Sequence, residues 1–125
     1  MQLIDKKELE TGRITGILPV QGGPSLPVWM VCGVSDGPTL VLTAGVHGCE
    51  YVGIMTLRRL FAQLSPAKIR GRVILLPLVN GEGFYIGSKQ VVPSDGKNIN
   101  RVFPPPEEGT PAQEVARTVV EQIYP

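Results

Sequence analysis

The chain has almost no histidine: His47 is the single one in 125 residues. A metal or catalytic cluster built from several imidazoles is therefore excluded. It also lacks an excess of charge. Twelve Lys and Arg against eleven Asp and Glu leave a formal net charge of +1. That gives no electrostatic footprint for nucleic acid or for an anionic membrane surface. No apolar run is long enough to span a bilayer. The start, Met1-Gln2-Leu3-Ile4-Asp5-Lys6-Lys7, is not built as a signal peptide. Only Cys32 and Cys49 carry thiols, too few for a disulfide framework, so a reducing cytoplasm is the expected compartment. There is no internal repeat.

What the chain does have is glycine and proline, 15 and 12 residues. They are spread between apolar runs and mark turns rather than low complexity. The length suits one domain, residues 1–125, with a core of its own. Arg13 to Val20 and Leu26 to Gly33 predict two strands around Gln21-Gly22-Gly23-Pro24-Ser25. Thr39 to Ala44 is nearly all apolar and predicts a strand buried on both faces. Glu50 to Leu64 predicts a helix, with Val52, Met55, Leu60, Phe61 and Leu64 on its apolar side. Arg72 to Val79 predicts another buried strand. Strand, helix and strand at this spacing form a βαβ unit with parallel neighbours. Asn80 to Gly96 reads as an irregular loop. Thr110 to Tyr124 predicts a last helix, with Thr110 as N-cap, Pro111 in the first turn and Glu114 closing a capping box. Its stripe is Val115, Val119, Val120 and Ile123. Trp29 and Phe61 are expected in the core.

His47 follows the apolar strand directly, in Thr43-Ala44-Gly45-Val46-His47-Gly48-Cys49-Glu50-Tyr51. His47 and Glu50 lie three residues apart at a strand-to-helix turn and can point the same way. Zinc accepts imidazole nitrogen and carboxylate oxygen, usually from three protein ligands plus water. The spacing equally suits a turn histidine and a first-turn helix acid favoured by the helix dipole. Ligands of open α/β sheets bind beyond the C-terminal ends of strands, which is where His47 falls. Cys49 lies between the pair, and its thiol is expected to point away from both.

A second stretch, Asp95-Gly96-Lys97-Asn98-Ile99-Asn100-Arg101-Val102-Phe103-Pro104, follows the strand ending Pro77-Leu78-Val79-Asn80. With His47-Gly48-Cys49-Glu50-Tyr51, these pieces in this order resemble the succinylglutamate desuccinylase/aspartoacylase family of the zinc carboxypeptidase-like superfamily. The resemblance runs from about Gly33 onward. It implies an α/β fold of three layers, a mixed or parallel sheet with flanking helices, present as the N-terminal portion of the catalytic domain. It implies Zn2+ as cofactor, with His47 and Glu50 as the first two ligands. It places Asn100 and Arg101 as the pair that holds a substrate carboxylate, for which a planar guanidinium is well shaped. The family's further arginine is missing from Phe84 to Pro93, where Lys89 is the candidate replacement.

The third zinc ligand and the general-base glutamate are expected beyond Pro125. Glu107, Glu108, Glu114 and Glu121 do not match that base, so no catalytic residue is assigned. The implied reaction is hydrolysis of the amide in small N-acyl amino acids, with this chain as an incomplete catalytic domain. The alternative is a non-catalytic, shortened paralogue that self-associates through an open sheet edge. A third arrangement has His47 and Glu50 of two chains sharing one metal.

Overall fold

The computed structural model describes residues 11–124; the expectation about the first residues, Met1 to Lys7, lies outside them. The sheet begins with a hairpin. Strand β1 (Gly12–Leu18) pairs antiparallel with β2 (Leu26–Cys32), Leu18 opposite Leu26 at the turn end. Strand β3 (Ser35–Thr43) leads into helix α1 (Tyr51–Gln63), and the chain returns as β4 (Arg70–Leu76). β3 and β4 are parallel, with Leu40 opposite Val73 and Leu42 opposite Leu75, as the βαβ reading requires. β4 also pairs antiparallel with β2, so the sheet is mixed, in the order β1-β2-β4-β3.

Side chains alternate across the sheet with the strand period of two, and two cores result. Leu26, Val28 and Met30 of β2 and Ile74 and Leu76 of β4 share one face. There they meet Val115, Val119 and Ile123 from the last helix, α3 (Pro111–Gln122), and its C-cap. Val73 and Leu75 of β4 and Trp29 of β2 point the other way, toward Ile54, Leu57, Phe61 and Leu64 on or next to α1. The result is the expected α/β architecture of a mixed sheet between helices.

Four local expectations need correction. β3 is not buried on both faces. Among the described residues it is the outermost strand of the sheet, and Leu40 is 54% exposed. On α1 the face toward the sheet is Ile54, Leu57, Phe61 and Leu64, spaced three, four and three residues apart. Val52 and Met55 lie off that stripe and face solvent. The supposed loop after β4 holds a short helix, α2 (Gly81–Ile86), capped by Asn80. The capping box of α3 is closed by Gln113, whose Oε1 accepts from Thr110 N–H at 2.9 Å. Glu114 is one position too far along and accepts from Gly109 N–H instead.

Trp29 and Phe61 do pack together, ring centroids 5.2 Å apart. Cys32 is buried, Cys49 is exposed, and both thiols are free. No helix among the described residues is long and apolar enough to cross a membrane.

Candidate metal centre

The turn after β3 is shaped by glycine. Gly45 has φ +62°, a backbone conformation that L side chains rarely adopt, and a Cβ there would come within 2.9 Å of Leu78. The left-handed step swings the chain off the sheet. Gly48 is tighter still. A Cβ on it would stand 2.5 Å from the Gly83 carbonyl carbon and 2.6 Å from the Phe84 nitrogen. The His47–Glu50 turn thus rests backbone to backbone on α2. Tyr51 seals the contact edge-on against Phe84, centroids 5.8 Å apart.

Asn80 joins the segments. Its N–H donates to the Gly45 carbonyl at 2.7 Å. Its Oδ1 accepts from Gly83 N–H at 2.9 Å, and its Nδ2 donates to the Val91 carbonyl at 3.1 Å. The residue is 1% exposed, and a buried amide of this kind has to be satisfied by protein groups. Asn80 therefore ties the exit of β3, helix α2 and the loop after it into one unit. Glu82 adds to this by accepting from the Ser94 N–H at 2.7 Å and hydroxyl at 2.8 Å.

On this support His47 and Glu50 meet. His47 Nδ1 lies 2.9 Å from Glu50 Oε1, and His47 Nε2 lies 3.1 Å from Asn98 Oδ1. Asn98 Oδ1 also accepts the Asn100 N–H at 3.0 Å. That second donor identifies the atom facing His47 as the amide oxygen. Both imidazole nitrogens thus face acceptors. The Glu50 carboxylate raises the His47 pKa above its ordinary value; partial burial opposes this, Asn98 adds to it, and the positive Arg101 opposes it.

The donor set also fits zinc. Ligands about 2.0–2.2 Å from a tetrahedral zinc lie roughly 3.4 Å apart, within about half an ångström of the observed pair. Replacing the Nδ1 proton by a metal leaves Nε2–H on Asn98, the second hydrogen bond that orients metal-bound histidines. Among the described residues no three His, Cys, Asp or Glu side chains gather as a metal group. His47 and Glu50 supply two donors.

The 3-10 turn Ile99–Arg101 carries the other candidates. Ile99 is buried in the α3-side core, which fixes the turn and leaves Asn100 and Arg101 exposed. Arg101 NH1 donates to the Asn100 carbonyl at 3.3 Å, and its charge is felt at His47. The structure therefore brings His47, Glu50, Asn98, Asn100 and Arg101 together. Lys89 is exposed, and it is its backbone carbonyl that is engaged, accepting from Cys49 Sγ at 3.2 Å. That contact turns the Cys49 thiol toward the loop, not toward the ligand pair. Asn98, Asn80 and Asp95 escaped the sequence reading as site residues. Asn98 alone left a signal, in the spacing Asn98-Ile99-Asn100-Arg101.

Comparison with known proteins places the fold and the family. The profile of the succinylglutamate desuccinylase/aspartoacylase catalytic domain matches residues 36–124. The N-alpha-acetyl-L-2,4-diaminobutyric acid deacetylase of Halomonas elongata is 36% identical over 104 residues, 83% of this chain and 30% of that protein. The crystal structure of an aspartoacylase family protein from Mesorhizobium loti superposes with a TM-score of 0.86 at 33% identity, covering 98% of this chain and 39% of its own. A succinylglutamate desuccinylase/aspartoacylase structure from Rhodobacter sphaeroides gives 0.81 at 35% identity, covering 96% and 38%. The chain spans about a third of the length of these relatives.

Proposed function

The chain belongs to the succinylglutamate desuccinylase/aspartoacylase catalytic-domain family, and from that membership we propose that it is the metal-binding half of an amide hydrolase acting on N-acyl amino acids. The observation that carries the proposal is the convergence of His47 Nδ1 and Glu50 Oε1 at 2.9 Å beside the Asn98–Arg101 turn. A zinc ion is the cofactor that this donor pair fits.

Bound zinc supplies a Lewis acid that polarises an amide carbonyl and lowers the pKa of water toward roughly 7. This chain's residues do the rest of what it can contribute. Glu50 and His47 hold the metal position. Asn98 keeps the imidazole in the Nε2–H form and fixes its plane. Arg101 presents a fork that can clasp a carboxylate in bidentate fashion, and the Asn100 amide adds a donor beside it. Anchoring the carboxylate sets the scissile amide against the metal position, which lowers the entropic part of the barrier. Lys89, on the neighbouring loop, adds positive charge without the fork. The third ligand and the base that takes the water's proton belong to the rest of the domain.

Zinc competition against a chromophoric chelator tests the reading. The purified chain binds zinc, and His47→Ala and Glu50→Gln each weaken binding. Alone it turns over no N-acyl amino acid. Failure to bind zinc overturns the metal assignment, and robust turnover by this chain alone overturns its assignment as half a site.

A further inference from the structure

Two segments beside the candidate metal position are joined by a sulfur-to-oxygen bond. Cys49 stands on the ligand turn between His47 and Glu50, and its Sγ donates to the Lys89 carbonyl at 3.2 Å. The cysteine is itself well held. Glu50 N–H donates to the His47 carbonyl and Tyr51 N–H to the Cys49 carbonyl, both at 3.1 Å. Gly48, next to it, rests on the backbone of α2. The thiol therefore reaches the loop from a fixed root.

The loop from Gly87 to Val92 is anchored at both ends. Ser88 N–H donates to the Gly83 carbonyl at 2.8 Å, which hangs one end on α2. At the other end the Val91 carbonyl accepts from Asn80 Nδ2 and from the Ser88 hydroxyl, and Val92 N–H donates to the Lys97 carbonyl at 2.9 Å. Between these anchors lies the crest, Lys89-Gln90. Among the described residues, the bond that holds the crest is the one from Cys49.

The lysine makes the position of that crest matter. Its ammonium is a point charge on a flexible stem, without the preset fork of a guanidinium. Such a group meets a carboxylate at a defined place only when its Cα is fixed, since freedom at the root adds to the freedom of the stem. A thiol is a weak donor. Here it closes onto a short crest whose ends are already tied, so little further ordering is needed to form the bond.

We infer that Cys49 is a positioning residue. Through the Lys89 carbonyl it fixes the root of the lysine that meets the substrate carboxylate, and so sets carboxylate affinity without touching substrate or metal. This rests on the reading of Lys89 as a substrate-binding group.

The tether and its consequence are measured separately, on the zinc-free chain, so that no metal contact of the thiol enters. Trypsin cuts after lysine, and the Lys89–Gln90 bond carries the carbonyl that Cys49 engages. In digests followed by mass spectrometry, Cys49→Ala is cut there about two- to tenfold faster than wild type, the span of one net hydrogen bond. Cys49→Ser keeps a donor and falls back toward the wild-type rate. Titration with N-acetylglycine, a carboxylate bearing one amide, is followed by nuclear magnetic resonance. Lys89→Ala and Cys49→Ala each weaken binding about two- to tenfold, and adding Cys49→Ala to Lys89→Ala weakens it no further. Both residues are exposed, and circular dichroism melts confirm that each variant is folded. Absence of binding by the wild type, or equal binding by Lys89→Ala, overturns the reading of Lys89 and the role of Cys49 with it. Lost affinity in Lys89→Ala with none lost in Cys49→Ala, or losses that multiply in the double variant, overturns the positioning role alone. Unchanged cutting of Cys49→Ala overturns the tether.

Discussion

Asn80→Ala is the substitution that bears most directly on how the site is held. The variant keeps the backbone bond from residue 80 to Gly45, so the sheet itself is untouched. It removes the acceptor of the buried Gly83 N–H and the donor to Val91. Losing a helix N-cap costs about 0.5–2 kcal/mol, and a buried N–H left without a partner costs about 1–3 kcal/mol. These two figures describe one lost bond and are not summed. The Val91 bond adds about 1 kcal/mol at most, since that carbonyl keeps the Ser88 hydroxyl at 2.8 Å. The total is roughly 1–4 kcal/mol. For a domain of this length 1 kcal/mol moves Tm by about 4 °C, so the variant melts about 4–16 °C lower. Urea unfolding followed by circular dichroism shows a lower midpoint with an unchanged m-value. A Tm drop under about 2 °C would refute the idea that this carboxamide clamps three segments together.

Three more outcomes follow from neighbouring residues. Asp95 accepts from Lys97 N–H at 2.9 Å and from Ala112 N–H, in the first turn of α3, at 2.8 Å. Burial pushes its carboxyl pKa up, but those amides, the Thr110 hydroxyl and the Lys97 charge outweigh burial and hold it below the ordinary value. The stability it contributes is therefore full above about pH 4 and is lost as pH falls through the lowered value. Asp95→Asn is less stable at neutral pH by about 1–2 kcal/mol and loses that part of the acid slope in denaturation midpoints measured against pH. Asn98→Ala weakens zinc binding about 10–100-fold in chelator competition, the usual effect of losing a hydrogen bond behind a ligand. Equal affinity would remove Asn98 from the site. Gly48→Ala meets backbone rather than a yielding side chain and lowers stability by about 1–3 kcal/mol or more; an unchanged melt would show that the turn does not rest on α2.

The βαβ unit was legible because its signals are local and strong: two apolar runs, a helix between them, and the parallel register that follows. His47, Glu50, Asn100 and Arg101 could be proposed as a set because they lie in short motifs in a recognisable order. β3's exposure was not. An apolar strand looks the same in sequence whether its neighbour is present or absent, and edge position is a property of the whole sheet. Helix α2 was hidden because Gly81-Glu82-Gly83-Phe84-Tyr85-Ile86 has poor intrinsic propensity. It forms because Asn80 caps it, Gly48 packs on it and Tyr51 meets Phe84. On α1, Val52 and Met55 have helical spacing of their own. Only the sheet decides which of two plausible stripes is buried. Asn98 and Asp95 were missed for a related reason. Their roles are hydrogen bonds to residues 51 positions earlier and 17 positions later, beyond the reach of local pattern.

The oxygen of Asn98 answers to two donors, the imidazole of His47 and the backbone N–H of Asn100. The Asn98 carboxamide is thus the one side chain between the ring and the start of the Asn100-Arg101 turn. The imidazole and the guanidinium-bearing turn are in that sense coupled sites, and coupling free energy is reciprocal. Whatever steadies His47 steadies the turn, and whatever occupies the turn steadies His47. On the proposed reading, recognition and metal retention share one atom, so that each reports on the other.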